Sequence, residues 1–586
     1  MCLGLPLFIC WWWFGELGGY PTNDDPFYGR PAQILADESR FQMVTQAGEL
    51  SASSVAHVLI GGGLSSLLGF SYRTLYLAVI LQLWVGGWAL YAGAREEGCS
   101  RCLALMWGAV FVINPLSFAH AFTFMTDAPA MSWGMLSLYL YRRGLRQSSS
   151  LLSCLKWFAV GSLAVAVAFW MRQTHVLFCG FPVASLTLLW YRNQITLGHW
   201  CWGVLASLFP AALAVLLFES GWLVFGDGLW GEQGRLHVVA PQGFDWYQTA
   251  INIYGLGILL GFLMLPLLPV LMHRWLTDYS LPSAASPANK LWTRPALWMA
   301  MAAGLLWTAP LLATQGRACL TSATGSVIAN AHFGPIFLSD FEVPERWGDM
   351  GSVTWPQWVW VALTAAAIVN LTALLGCLLG CLRGCLLGCL RVWRSAAIDS
   401  CQRSTVDGIV RQAANCGLVA TAIPIILAIL SVQTGVLDRY WLLLLPVVFT
   451  LGAQLSGPKL GRLGWVASGL LLLQLTLSVA FARDFLIWNQ TRWKQVEAWL
   501  AEGLAAEEID GGRDINAWLR SAEDYQTLPR PGDTTTWWNG RARVALAIGP
   551  RDDWKEIGRL KWRAWASGGN EHEIILLRRE TPEQPQ

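Results

Sequence analysis

Charge is scarce in this chain. Of 586 residues only 13 % are charged against 54 % hydrophobic, and the formal net charge is +2. With a mean hydropathy of +0.43 a single soluble domain is excluded, because apolar runs long enough to cross a bilayer recur along the sequence. No basic block interleaved with aromatics occurs, which speaks against a nucleic-acid partner. There is no Walker loop, no dinucleotide-binding glycine fingerprint and no nucleophile elbow in a suitable setting, and the basic connections are short for a nucleotide-binding domain, so an ATP-driven transporter is disfavoured. The 14 Cys residues show no paired zinc spacing and establish no disulfide framework. Residues 1–14 are apolar but lack a basic n-region and a small-residue cleavage site, and they read as a short first span.

What is abundant is tryptophan, 35 residues in all, a side chain whose apolar body and single N–H donor settle at the water interface of a membrane. Apolar segments at 1–15, 72–93, 103–121, 128–141, 154–171, 175–190, 199–218, 251–272, 295–313, 358–378, 415–433, 440–455 and 464–482 predict an all-α polytopic membrane protein of about thirteen transmembrane helices. Residues 51–70 are apolar but carry Gly61-Gly-Gly63 and five Ser, and are read as a helix lying along the interface. Every second connection is then basic, with Arg95, Arg101, Arg142, Arg143, Arg146, Arg192, Arg274, Lys290, Arg294, Arg383, Arg391, Arg394, Arg403, Arg411, Lys459 and Arg462, and these loops face the cytoplasm by the positive-inside rule. The opposite loops hold Asp24, Asp25, Asp37, Glu38, Asp127, Asp227, Asp245, Asp340 and Asp438, and include long ones at 16–71, 219–250 and 314–357. Candidate chemistry therefore gathers on the outer face. The expected division is a membrane domain at 1–482, with the first outer loop at about 16–71 as its catalytic loop, and a small α/β extracytoplasmic domain at 483–586. The latter reads as a helix at 489–503 followed by strands such as 543–548 and 573–577.

Carboxylates beside a bilayer are costly to keep ionised, so the pair Asp24 and Asp25 in Pro21-Thr-Asn-Asp-Asp-Pro26 asks for a reason. One reading is a general base, an acceptor-positioning group or a metal ligand; the other is turn chemistry, which Asn-Asp-Asp-Pro also supplies. Asp127, in Thr126-Asp-Ala-Pro129, lies at the same outer level and doubles as a helix cap. Arg172, ahead of Gln173, Thr174 and His175, and Arg439, between Asp438 and Tyr440, are lone cations at outer span ends. A guanidinium there either snorkels to headgroups or holds a substrate phosphate. His175 and His332 are candidate metal ligands or simply hydrogen-bonded histidines. Cys377, Cys381, Cys385 and Cys389 repeat every four residues, a spacing that cannot converge on one tetrahedral centre and reads as a small-residue packing stripe. The sequon at Asn489 marks a surface only where its context is exposed.

The order of these features resembles the GT-C superfamily of polytopic lipid-linked-sugar transferases, such as the protein O-mannosyltransferases and the bacterial aminoarabinose transferase of lipid A. The resemblance runs through a first span, an outer loop with the Asp24-Asp25 pair, an interfacial helix, Thr126-Asp127, Arg172-Gln-Thr, the late Asp438-Arg-Tyr-Trp, and an outer tail with Ile509-Asp-Gly-Gly-Arg-Asp-Ile-Asn-Ala-Trp518. Arg172-Gln-Thr is also similar to the dolichyl-phosphate-glucose glucosyltransferases, with His175 where Asn usually stands; a familiar acidic pair is Asp-Glu, not Asp-Asp. The resemblance implies a polyprenyl-phosphate-sugar donor at the outer face of a bacterial plasma membrane and a hydroxyl acceptor on lipid, glycan or protein. It implies Asp24 or Asp25 as base, Asp127 orienting acceptor or sugar, and Arg172 and Arg439, with Gln173, His175, Asp438 and Tyr440 around them, at the donor. No resident cofactor is called for; a divalent cation at the phosphate is compatible, without a visible ligand set. The rival class is a secondary transporter or flippase with Asp24, Asp127 and Arg172 along its path, and a scaffold whose tail recruits partners is a third reading.

Overall fold

The computed structural model describes residues 2–22, 24–41, 54–148, 150–219, 246–273, 301–302, 304–310, 312–313, 358–359, 361–376, 406–430, 438–455, 463–519, 542–547, 549–551, 553–566 and 568–580. The cysteine stripe, His332 and the long loops at 220–245 and 314–357 lie outside the described residues. The helices are α1 (Leu5–Phe14), α2 (Asp25–Glu38), α3 (Val55–Leu68), α4 (Tyr72–Glu96), α5 (Arg101–Ile113), α6 (Pro115–Ala121), α7 (Asp127–Arg146), α8 (Leu151–Phe169), α9 (Gly180–Tyr191), α10 (Leu197–Glu219) and α11 (Trp246–Leu263). Then follow α12 (Val361–Gly376), α13 (Val406–Leu430), α14 (Leu445–Leu455), α15 (Gly464–Ala501) and α16 (Arg513–Leu519).

The chain is a multi-pass membrane protein, and among the described residues six to eight spans stand where about thirteen are expected along the whole chain. Six helices among the described residues are long and apolar enough to cross a bilayer: Tyr72–Glu96, Leu151–Phe169, Gln173–Tyr191, Leu197–Phe218, Gly408–Ile429 and Gly464–Ala501. Two bent pairs, α5 with α6 at 59° and Asn252–Leu263 with Leu265–His273 at 62°, bring the number to eight if each counts as one span. α1 has 10 residues, roughly 15 Å at 1.5 Å per residue, half a hydrocarbon core. α3, at 14 residues, is likewise too short to span, as an interfacial helix should be. α7 is buried along most of its length, but Arg142, Arg143 and Arg146 keep its composition below a span's.

Both bends lie inside segments that read as straight apolar runs. At the first, Asn114 Nδ2 donates to Val110 O at 3.0 Å and Phe111 O at 2.9 Å while its Oδ1 accepts from Ser117 N at 2.9 Å, and Pro115 opens the second limb. Carbonyls left over at a break need donors, and α15 brings them to both breaks from positions one turn apart. Ser478 Oγ lies 2.7 Å from Ile113 O, and Gln474 Nε2 donates to Leu263 O at 3.1 Å; Asn370 adds a bond to Gly261 O at 2.8 Å. α4 crosses α5 and α7 where Gly86 and Gly87 leave room: a Cβ on Gly87 would lie 2.4 Å from Val112 Cγ2, and one on Gly86 2.9 Å from Ser132 Cα.

α15 is 38 residues long, roughly 57 Å against a hydrocarbon core of about 30 Å. It carries the chain from the apolar segment directly into the tail, so the helix expected at 489–503 is its far half. The tail adds a four-stranded sheet of β1 (Ile509–Asp510), β2 (Val544–Ala547), β3 (Trp554–Arg563) and β4 (Glu571–Arg579) in the order β1-β2-β4-β3, parallel only between β1 and β2. Two of these strands fall where the sequence places them; β3 was not foreseen.

Candidate functional site

The acidic pair opens α2, with Pro26 just inside the helix. Asp25 is fully buried and, among the described residues, its carboxyl group meets only uncharged hydrogen-bonding groups. Oδ2 accepts from Thr22 N at 3.1 Å and from Thr22 Oγ1 at 2.9 Å and lies 3.0 Å from Tyr76 Oη, and Oδ1 accepts from Phe124 N at 2.7 Å. Burial pushes its pKa up to about 8, against the opposing pull of these donors. Asp24 beside it is 3 % exposed.

Phe124 links this pair to Asp127, which lies in the first turn of α7 and is not its cap; the cap position is Thr126, with no side-chain bond. The Asp127 carboxylate turns instead to Arg172, whose Nη2 donates to Oδ2 at 2.7 Å, the two side chains being 5 % and 28 % exposed. Charge pairing at that distance outweighs a cap bond. Arg172 in turn lies 5.8 Å from the centroid of Tyr440, near the limit for a cation–π contact. His175 is buried; its Nδ1 lies 3.3 Å from Arg172 O and its ring stacks on Phe178, which supports the hydrogen-bonded alternative over a metal ligand. Gln173 is half-buried on the same turn. Asp438 and Arg439 begin a short helix, Asp438–Leu443, and their side chains lie outside the described residues.

Asp24, Asp25, Asp127, Arg172, His175 and Tyr440 are thus drawn to one end of the bundle. Thr22, His57, Tyr76 and Phe124 join them without having been singled out. Thr22-x-x-Asp25 does fit the Ser/Thr-x-x-Asp/Glu pattern, which was the available signal for Thr22. The tail closes over the same end: Asn489 Nδ2 and Trp493 Nε1 donate to Pro21 O at 2.9 and 3.2 Å, Tyr20 stacks on Trp493, and Arg30 Nη2 donates to Trp518 O at 3.0 Å. Asn489 is therefore a buried contact, unsuited to glycosylation. The Ile509–Trp518 segment is structural here: Asp510 accepts from Asn516 Nδ2 at 2.9 Å and Arg551 Nη1 at 3.0 Å, and Asp514 pairs with buried Arg492.

The described residues offer no ready ligand set for a divalent cation. Asp25 spends its oxygens on neutral donors, Asp127 on Arg172, and no group of three His, Cys, Asp or Glu able to hold a metal occurs among the described residues.

No family model matches the chain, and no curated protein does. Among solved structures it is similar to ArnT from Cupriavidus metallidurans bound to undecaprenyl phosphate, with a TM-score of 0.38 and 14 % identity over 100 % of this chain and 99 % of that one. The apo state of the same protein gives a TM-score of 0.36 and 14 % identity over 100 % and 98 %.

Proposed function

We propose that this chain is a membrane glycosyltransferase that moves a sugar from a polyprenyl-phosphate donor to a hydroxyl acceptor on the outer face. The observation that carries the reading is the Asp127–Arg172 pair at 2.7 Å, tied through Phe124 to a buried acidic pair at the same end of the helices. Positive-inside counting puts that end outside, opposite Arg142, Arg143 and Arg146. An acceptor hydroxyl attacks the anomeric carbon, its proton passes to a carboxylate of the acidic pair, and the bond to the phosphate oxygen breaks with its electrons leaving on phosphate. The leaving phosphate needs charge stabilisation more than an acid, and Arg172, steered by Asp127, supplies it, with Arg439 close in sequence to Tyr440 as a second cation. Gln173, His175, Asp438 and Tyr440 surround the donor. A single displacement inverts the anomeric centre.

The two broken helices favour the transporter alternative, since such proteins offer carbonyl ends to ions at helix breaks. Here Gln474, Ser478 and Asn370 already bond those carbonyls, so the breaks read as capped bends. The deciding experiment supplies purified protein with a panel of polyprenyl-phosphate sugars and follows free polyprenyl phosphate and labelled product. Turnover with one donor, lost in Asp127→Asn, supports the enzyme; a wild type that binds no lipid phosphate at all transfers support to the transporter.

A further inference from the structure

Phe124 lies in the turn between α6 and α7, three residues before Asp127, and both of its backbone polar groups are taken by side chains from elsewhere in the chain. Its N–H donates to Asp25 Oδ1 at 2.7 Å, and its C=O lies 3.1 Å from Nε2 of His57 on α3. A carbonyl only accepts, so His57 carries its proton on Nε2. Burial lowers the imidazole pKa to about 4, which keeps the ring neutral in ordinary buffers. The Phe124 ring stacks on His57 with centroids 3.9 Å apart. It fits there because Gly61, one turn further along α3, has no side chain: a Cβ would come within 2.3 Å of Phe124 Cζ. Side chains from two helices thus hold the two peptide units that flank Phe124, one each.

Around Asp25 the donors do not add up for an ionised carboxylate. Tyr76 has one hydroxyl hydrogen and two acceptors in reach, Tyr20 O at 2.8 Å and Asp25 Oδ2 at 3.0 Å. Both contacts are satisfied when Oδ2 carries a proton and donates it to the Tyr76 oxygen, while Oδ1 still accepts from Phe124. A carboxyl group that is protonated and enclosed is not available to take a proton from an acceptor.

We infer that Asp25 and His57 form a clamp on the Phe124 backbone that positions Asp127, and that Asp25 is a positioning residue and not the proton acceptor of the pair. The clamp follows from geometry alone; its consequence for catalysis rests on the transferase reading, and within the pair the base role passes to Asp24.

The test compares Asp25→Asn, Asp25→Ala, His57→Gln and His57→Ala in the full-length protein, by hydrogen exchange of the peptide spanning 120–127 and by steady-state kinetics. Asn keeps an acceptor, Oδ1, for Phe124 and a donor, Nδ2, for Tyr76, and gives up only the contact from Thr22 N, which an amide nitrogen cannot accept; Gln places its Nε2 donor where His57 has one. Both are expected to keep the exchange slow and kcat within about tenfold of wild type. The alanine variants are expected to speed exchange of this peptide but not of α4 peptides, and to lower kcat roughly ten- to hundredfold with KM little changed. Asp25→Asn as inactive as Asp25→Ala, with protection intact, makes Asp25 the base and overturns the inference. Unchanged exchange in both alanine variants overturns the clamp itself. If wild-type protein transfers no sugar, the transferase reading falls alone, because the exchange arm still decides the clamp.

Discussion

Two buried carboxyl groups mark the two ends of this helical bundle, and they are held in opposite ways. Asp25 touches Tyr76 near the start of α4, whereas Glu97 follows the end of that helix, about 30 Å away at 1.5 Å per residue. Asp25 is surrounded by uncharged hydrogen-bonding groups alone among the described residues. Glu97 is met by Arg142 and Arg146 of α7 and by Arg411 of α13, the last at 3.3 Å. Burial raises both, but around Glu97 the three guanidinium groups more than reverse it and leave the pKa below the ordinary carboxylate value, while at Asp25 burial wins. The same burial thus produces an ionised lock where three helices must be joined and a neutral pin where a turn must be set beside Asp127.

The comparison breaks most visibly at the locked end. Glu97→Ala strands Arg142, whose side chain is 6 % exposed, without its counter-charge, and is expected to cost about 3–5 kcal/mol in unfolding experiments on detergent-solubilised protein. Arg411 is 57 % exposed, so Arg411→Ala should cost far less, because solvent screens that pair. Equal losses from both changes would contradict a lock centred on Arg142.

At the other end the largest effect should fall on chemistry. Arg172→Ala removes the cation that pairs with Asp127 at 2.7 Å and is expected to lower kcat roughly a hundred- to thousandfold, the usual consequence of losing a group that stabilises developing charge. Some stability should be lost as well, because Asp127, 5 % exposed, is left without this counter-charge, so turnover is read per folded molecule. A large loss of stability with unaltered turnover per folded molecule would reduce this pair to a second structural lock.

The pH dependence sharpens the contrast, because the two groups pull in opposite directions. The folded pKa of Asp25 is raised to about 8, so its contribution to stability is fully present below its unfolded value and is lost as pH rises through about 8, by at most about 1.4 kcal/mol per pH unit. Glu97 is depressed, so its contribution is present above its unfolded value and is lost as pH falls through the folded one. Thermal unfolding of Asp25→Asn should therefore lose the decline between pH 5 and 8 while keeping the acid-side decline, and Glu97→Gln should do the reverse. A decline between pH 5 and 8 that survives Asp25→Asn would mean that some other group titrates there.

What the sequence shows at these two ends follows the same division. Charges stand out in an apolar chain, so Asp24, Asp25, Asp127, Arg172 and the arginines of α7 are visible without a structure, and so is the all-helical membrane class. The residues that place them are not visible, because a backbone contact leaves no mark on residue type: Phe124 looks like any core aromatic, and Tyr76 lies inside an apolar span. Gly61-Gly-Gly63 looked like weakness in a helix and proves to be room for the Phe124 ring. The bends at Asn114 and Pro266 were hidden because their donors, Ser478 and Gln474, come from a segment more than two hundred residues away, where they pass for ordinary polar residues in a membrane helix.

Whether the tail belongs to the pinned end is the smallest effect and the most informative about coupling. Asn489 and Trp493 share Pro21 O as acceptor, so Asn489→Ala removes one of two donors from the carbonyl that precedes Thr22. The expected loss is about 1 kcal/mol or less, with kcat down by less than tenfold, because Trp493 still bonds the same oxygen. Trp493→Ala should cost more, since it also removes the ring that stacks on Tyr20. Combined with Glu97→Ala, Asn489→Ala should add to within about 0.5 kcal/mol, as expected for sites at opposite ends with no shared partner. Non-additivity in that double variant would mean that α15, which caps both helix breaks on its way from the membrane to Pro21, transmits strain between the ends, and the pin and the lock would then be parts of one device.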